Sequence, residues 1–312
     1  MSSTTQTSTS ASPRTSSTTP TPRARTRRVD PTYYLFLFPA LLVFTLALTV
    51  PAVMGFLYSF TNSIGYGDWD FVGLRNYISL FQDPNVLSSY AFTLGFALVT
   101  VILVNIIAFA LALGLTSRIK LQTVLRTVYV IPMVVSGIII AFVFQFLFSN
   151  TLPAIGEKLG IGTLSSSILA NENLAWIAIV IVTAWSTIPS TMLIYIAGLV
   201  TIDGDVYEAS SIDGASPFQQ LMRITLPLVA GFVLINTVLC FKNYLNAYDI
   251  IVGLTDGGPG TATRSVAMTI FTGFEGGDYG YQMANAFVFF IISLIIAGLQ
   301  LRLTGGKASF GA

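Results

Sequence analysis

The sequence holds no histidine, which removes the commonest metal ligand and the side chain best suited to shuttling protons near neutral pH. A Ser-His-Asp hydrolase is therefore excluded, although Ser136, Ser186 and Ser190 are present. No nucleophile is paired with a base and no metal-ligand cluster is spelled out, so neither a catalytic residue nor a metal site is expected. The single cysteine, Cys240, lies in an apolar run and has no partner for a disulfide within the chain. Charge is scarce as well, at 9% of residues against about a quarter in soluble domains. Hydrophobic residues make up 54%, which excludes an ordinary soluble enzyme. The phosphate-binding pattern G-x-x-x-x-G-K-[ST] is missing, for Gly305-Gly306-Lys307 runs into Ala308 and the glycines from Gly257 to Gly260 precede no lysine. The chain is thus not expected to hydrolyse ATP. Its apolar runs carry only Lys242 and Asp249 as clear ionisable groups, too few for the relay of a proton-driven carrier.

What the sequence has is long apolar runs. Windows of about twenty apolar residues predict an all-α integral membrane protein with six transmembrane helices, at roughly 33–58, 90–115, 123–148, 174–200, 228–250 and 284–302. The run from Tyr33 is too long for a signal-peptide core and is read as a retained span. Residues 1–28 are Ser, Thr, Pro and Arg with almost nothing apolar, which predicts a disordered tail ahead of a six-span domain over 29–312. Lysine and arginine in the flanks set orientation. With a cytoplasmic N-terminus the inside holds Arg14, Arg23, Arg25, Arg27, Arg28, Arg118, Lys120, Arg126, Arg223, Arg302 and Lys307, against Arg75, Lys158 and Arg264 outside. Both termini are then cytoplasmic. The outer loops, at about 59–89, 149–173 and 251–283, are rich in Gly, Asp and aromatic residues, as in Gly65 to Phe71. That composition suits interfacial anchoring or a docking surface.

One stretch between the spans is polar. Residues 201–227 carry Asp203, Asp205, Glu208, Asp213 and Arg223, charges that hydrocarbon does not tolerate, so this loop lies in water. Asp205 with Glu208, and Ser216 with Gln219, each have the spacing of a capping box, and Pro217 stands at the first helical position. Gly214 falls between them, where a chain leaving a helix needs positive φ. A helix-turn-helix at a membrane surface is predicted.

The fifth span breaks its apolar pattern from Phe241 to Asp249. On one helix Lys242, Asn246 and Asp249 would share a face. That face either packs on neighbouring helices, with Lys242 paired to Asp249, or forms the polar wall of a solute path. Carboxamides, hydroxyls and aromatic rings suit a neutral polyol, which makes Ser136, Gln145, Trp185, Ser186, Lys242, Asn243 and Asn246 the candidate path residues, with the Thr187 hydroxyl beside Trp185 and Ser186 in span four.

Glu208-Ala209-Ser210, Gly214, Ile224, Leu226 and Pro227 resemble the E-A-A-x(3)-G-x(9)-I-x-L-P signature of bacterial ABC-importer permeases, with Ser210 in place of the usual alanine. IDGAS at 212–216, LTDGGPG at 254–260 and FVGLRNY at 71–77 are similar to segments of the carbohydrate-uptake branch, the maltose and glycerol-phosphate permeases. The resemblance implies a type I importer permease fold. It also implies a second permease subunit as heterodimer partner, two ATP-binding subunits and an extracytoplasmic solute-binding protein, with a sugar as cargo and lipid around the spans. No nucleic acid is implied. ATP and Mg would sit on the partner subunits, with no cofactor on this chain. Glu208, Ala209, Gly214, Ile224, Leu226 and Pro227 would form the ATPase-coupling loop, and that loop and the solute site would be two ends of one rigid rod. A permease for a polyamine, phosphate ester or peptide, and a signalling or structural protein of the same fold, are the alternatives.

Overall fold

A computed structural model of the chain describes residues 31–117, 122–162 and 165–304. The tail predicted at 1–28 lies outside the described residues, as do Arg118, Lys120 and Lys307. The chain divides into two compact units, Met1–Pro51 and Ala52–Ala312. In the first, α1 (Pro31–Phe44) runs into a π turn at Thr45–Thr49. Every described side chain from Tyr34 to Pro51 is exposed. An apolar helix exposed on all sides is stable in lipid and not in water.

The second unit begins within α2 (Val50–Tyr58) and continues through α3 (Arg75–Gln82) and α4 (Pro84–Thr116). Asp83 caps α4 by accepting a hydrogen bond from the Asn85 N–H at 2.9 Å, with Pro84 in the first turn. At 33 residues this helix is about 50 Å long at 1.5 Å per residue, and the others gather on it. Next come α5 (Gln122–Val134), α6 (Gly137–Phe146), α7 (Leu152–Leu159) and α8 (Ala175–Val200). The polar loop forms α9 (Gly204–Ile212), α10 (Pro217–Gln220) and α11 (Leu226–Leu228). The chain closes with α12 (Ala230–Leu245), α13 (Asp249–Thr255), α14 (Val266–Glu275) and α15 (Tyr279–Thr304). The main packing is α4 on α8, with α12 against both and α13 against α6.

Among the described residues five helices are long and apolar enough to cross a membrane: Tyr34–Tyr58, Pro84–Thr116, Gly137–Leu159, Ala175–Val200 and Tyr279–Arg302. A sixth arises if the bent pair Pro217–Leu228 and Ala230–Leu245 counts as one span. The third differs from the window at 123–148, because the helix stops at Val134 and Ser136 is extended, with ψ 137°. Pro132 deprives the end of α5 of a backbone donor.

Three π turns, Thr45–Thr49, Leu147–Thr151 and Leu221–Thr225, each end two residues before a proline, respectively Pro51, Pro153 and Pro227. A proline ring collides with the carbonyl four residues earlier, and in all three cases that carbonyl belongs to the middle of the widened turn. The wider coil clears it without ending the helix.

Two expectations for span five need correction. The helix ends at Leu245 rather than near residue 250, so Lys242, Asn246 and Asp249 do not share one helical face. The Asn246 side chain donates to the Lys242 carbonyl at 2.8 Å and closes the last turn, a local bond that competes with helix propagation. The second correction concerns the rigid rod. Pro217–Leu228 and α12 meet at an angle of 67° at Val229, so the connection is bent. The segment expected as a third outer loop also folds inward, for α13 buries Ile251 and Leu254 against α6 and α8.

Candidate functional site

Two sites stand out, a surface helix-turn-helix and a polar cleft. In the first, Asp203 rather than Asp205 caps α9, accepting from the Asp205 N–H at 3.1 Å. The helix starts one residue later, at Gly204, which puts Glu208 beyond the reach of a capping box. Glu208 is exposed and has no partner among the described residues. At the other end α9 closes as a Schellman motif: Gly214 N–H donates to Ser211 O at 3.1 Å and Ala215 N–H to Ser210 O at 3.0 Å. Gly214 has a φ of +79°, which this motif requires. The predicted box on α10 is present, with Ser216 and Gln219 exchanging bonds of 2.8 and 3.3 Å.

The two short helices are clamped together. Gln220 Nε2 donates to Ser210 Oγ at 3.0 Å and Ser211 Oγ at 2.9 Å, and the Tyr207 hydroxyl meets Thr225 Oγ1 at 2.9 Å. Ser210 stands where the signature usually has alanine, and its hydroxyl is one of the groups that holds Gln220. The same helix-turn-helix exposes large apolar side chains: Val206 is 40% exposed, Ile212, one turn beyond Glu208, 87% and Phe218 66%. Ala209 and Pro227 are exposed, while Ile224 and Leu226 are half-buried. A free carboxylate on a braced scaffold that also exposes large apolar groups is a surface fit to receive another protein.

The second site is a cleft of about 210 Å³ between α6, α8, α12 and α13, lined by Thr183, Thr187, Asn243, Asn246, Tyr248 and Asp249 among others. Ligand pockets usually begin near 300 Å³, so it suits one ring rather than a whole oligosaccharide. Thr187 Oγ1 donates to the Thr183 carbonyl at 2.6 Å and lies 2.7 Å from the hydroxyl of buried Tyr244. Thr183 is buried, and its Oγ1 has no hydrogen-bond partner among the described residues.

Of the candidate path residues, Thr187, Asn243 and Asn246 line this cleft, and Ser136 precedes Gly137, which also does. The rest stand apart from its wall. Gln145 and Lys242 are exposed, Trp185 packs on Phe144 with ring centroids 5.3 Å apart, and Ser186 donates to the Thr183 carbonyl at 2.9 Å. No ion pair joins Lys242 to Asp249 among the described residues. Sequence reasoning missed Thr183 and Tyr248. The signal was the i, i+4 pair of threonines flanking Trp185, which places two hydroxyls on one face of an otherwise apolar helix.

Fold and site together define a polytopic, all-helical membrane protein that presents a braced helix-turn-helix on its surface and a polar cleft among its spans. Residues 105–304 match the family of inner membrane components of binding-protein-dependent transport systems, and the chain belongs to that family. It is 32% identical over 273 residues to a "probable starch degradation products transport system permease protein" of Thermoanaerobacterium thermosulfurigenes, covering 87% of this chain and 93% of the relative. With the trehalose/maltose transport system permease of Thermococcus litoralis it shares 34% over 271 residues, 86% of this chain and 92% of the other. A chain of the bacterial alginate ABC transporter, solved in complex with an alginate pentasaccharide-bound periplasmic protein, superposes with a TM-score of 0.77 at 19% identity, covering 91% of this chain and 97% of that one. At that identity the likeness establishes the fold, that of a type I importer permease.

Proposed function

We propose that the chain is the permease subunit of an ATP-driven importer that carries a sugar or oligosaccharide across the cytoplasmic membrane by alternating access. The observation that carries this reading is the braced α9–α10 turn, where Glu208 stands free on a surface that also exposes Ile212 and Phe218, in a chain whose relatives are named as sugar permeases. The lysine and arginine count favours placing both termini and this loop in the cytoplasm. Two ATP-binding subunits would dock there and hold ATP and Mg, with Glu208 meeting a basic group and Gly214 permitting the tight turn. A second, non-identical permease completes the pore, and a solute-binding protein delivers cargo from outside.

Closure of the ATPases moves the loop, and the motion reaches α12 through the bend at Val229. Asn243 and Asn246 then face the passing solute from the cleft wall, where carboxamides can both donate to and accept from sugar hydroxyls. Uptake of a labelled maltooligosaccharide by cells carrying Glu208→Lys tests the coupling role. Loss of uptake with the protein still in the membrane supports it, and normal uptake refutes it.

A further inference from the structure

The wall of the polar cleft contains one charged side chain, the carboxylate of Asp249. Lys242, the cation nearest in sequence, is exposed and outside the lining. Two further carboxylates lie close by. The Tyr248 phenol, just past the end of α12, has its pKa raised by partial burial first and then by the charges of Glu275, Asp249 and Asp256. Arg264 makes no ion pair with them among the described residues: its Nη2 donates to Thr272 Oγ1 and its Nε is buried without a partner. Asp249 is thus the charge that a solute in the cleft meets directly.

The orphaned Thr183 hydroxyl is an independent sign of a missing ligand group. Thr183 is 4% exposed and lines the same cleft, and its Oγ1 is buried and unpaired. Buried hydroxyls in proteins nearly always have a partner, and a turn of the Thr183 side chain toward the cleft would let a ring hydroxyl of a bound sugar supply one.

Resting on the sugar-importer reading, we infer that this cleft selects neutral or amino sugars over sugars bearing a carboxylate or phosphate, with Asp249 setting the charge preference and Thr183 taking up a ring hydroxyl. A carboxylate accepts hydrogen bonds from sugar hydroxyls and attracts an ammonium group. It repels a second anion seated in the same cleft. Selection here is carried by repulsion of the wrong solute as well as by attraction of the right one.

The test is equilibrium dialysis of three labelled trisaccharides against the purified whole transporter, with the solute-binding protein withheld so that its own selectivity does not enter. The probes are maltotriose, the glucosamine trimer and the galacturonate trimer. The wild type is expected to bind the galacturonate trimer at least about tenfold more weakly than maltotriose. Asp249→Asn should shrink that gap to about twofold, while Asp249→Glu, which keeps the charge, should preserve it. Equal or tighter binding of the uronate by the wild type overturns the proposal. So does a gap that Asp249→Asn leaves intact, or one that Lys242→Ala closes instead. Binding of none of the three, in a transporter that still takes up another class of solute, overturns the sugar reading itself and this proposal with it.

Discussion

The phenolic oxygen of Tyr207 lies 2.9 Å from Thr225 Oγ1, so the first helix of the polar loop is tied to the π turn that leads into α11. Thr225 is buried and Tyr207 half-buried. This bond and the Gln220 clamp tie α9 to the start of the bent fifth span. Tyr207→Phe removes the bond and keeps the ring, and should cost about 1 kcal/mol of local stability. Hydrogen exchange across 204–225 should rise and uptake should fall a few-fold at unchanged membrane levels.

Gly214 and Gly204 make a matched pair. A Cβ at either would meet nothing within 4 Å, but only Gly214 has positive φ, at +79°. Gly214→Ala should therefore cost about 1–2 kcal/mol through backbone strain alone and uncouple ATP hydrolysis from uptake. Gly204→Ala should leave both near wild type, as measured by ATPase and transport assays on the same reconstituted complex.

The serine at the signature's third position has a structural partner. Ser210→Ala removes one of the acceptors of Gln220 but leaves Ser211 Oγ, so the loss should stay below about 1 kcal/mol with uptake close to wild type. Gln220→Ala removes the donor from every bond of the clamp and should cost more, visible as faster proteolysis within 201–227.

Thr183→Val separates stability from function. Replacing a buried, unpaired hydroxyl by a methyl group removes a desolvation penalty of about 1–3 kcal/mol, so the purified protein should be as stable as the wild type or more so. If Thr183 receives a sugar hydroxyl, the same variant should raise KM for uptake several-fold. A lower melting temperature with an unchanged KM would make Thr183 a packing residue only.

The parts of this architecture that local chemistry dictates were legible in the sequence. The box on Ser216 and Gln219 and the turn at Gly214 depend on spacing within a few residues, and the structure forms both. Asp203 and Asp205 flank a glycine, so spacing alone favours neither as the cap, and the start of α9 at Gly204 decides for Asp203. The end of span five was misjudged because an apolar window does not register that the Asn246 side chain bonds the Lys242 carbonyl. The cleft was half legible: Asn243 and Asn246 break an apolar pattern conspicuously, whereas a threonine such as Thr183 satisfies a helix so readily that only its buried, unpaired oxygen marks it out. The inward fold of α13 comes from packing with α6 and α8, which are distant in sequence.

The most direct test of the account is ATP-driven uptake in proteoliposomes containing this chain, the second permease, two ATPases and the solute-binding protein, with labelled maltotriose outside. Uptake should require ATP on the ATPase side and binding protein on the other, and Glu208→Lys should abolish it while the complex still assembles. Uptake without ATP, or undiminished uptake in the Glu208→Lys complex, would contradict a permease driven through this loop.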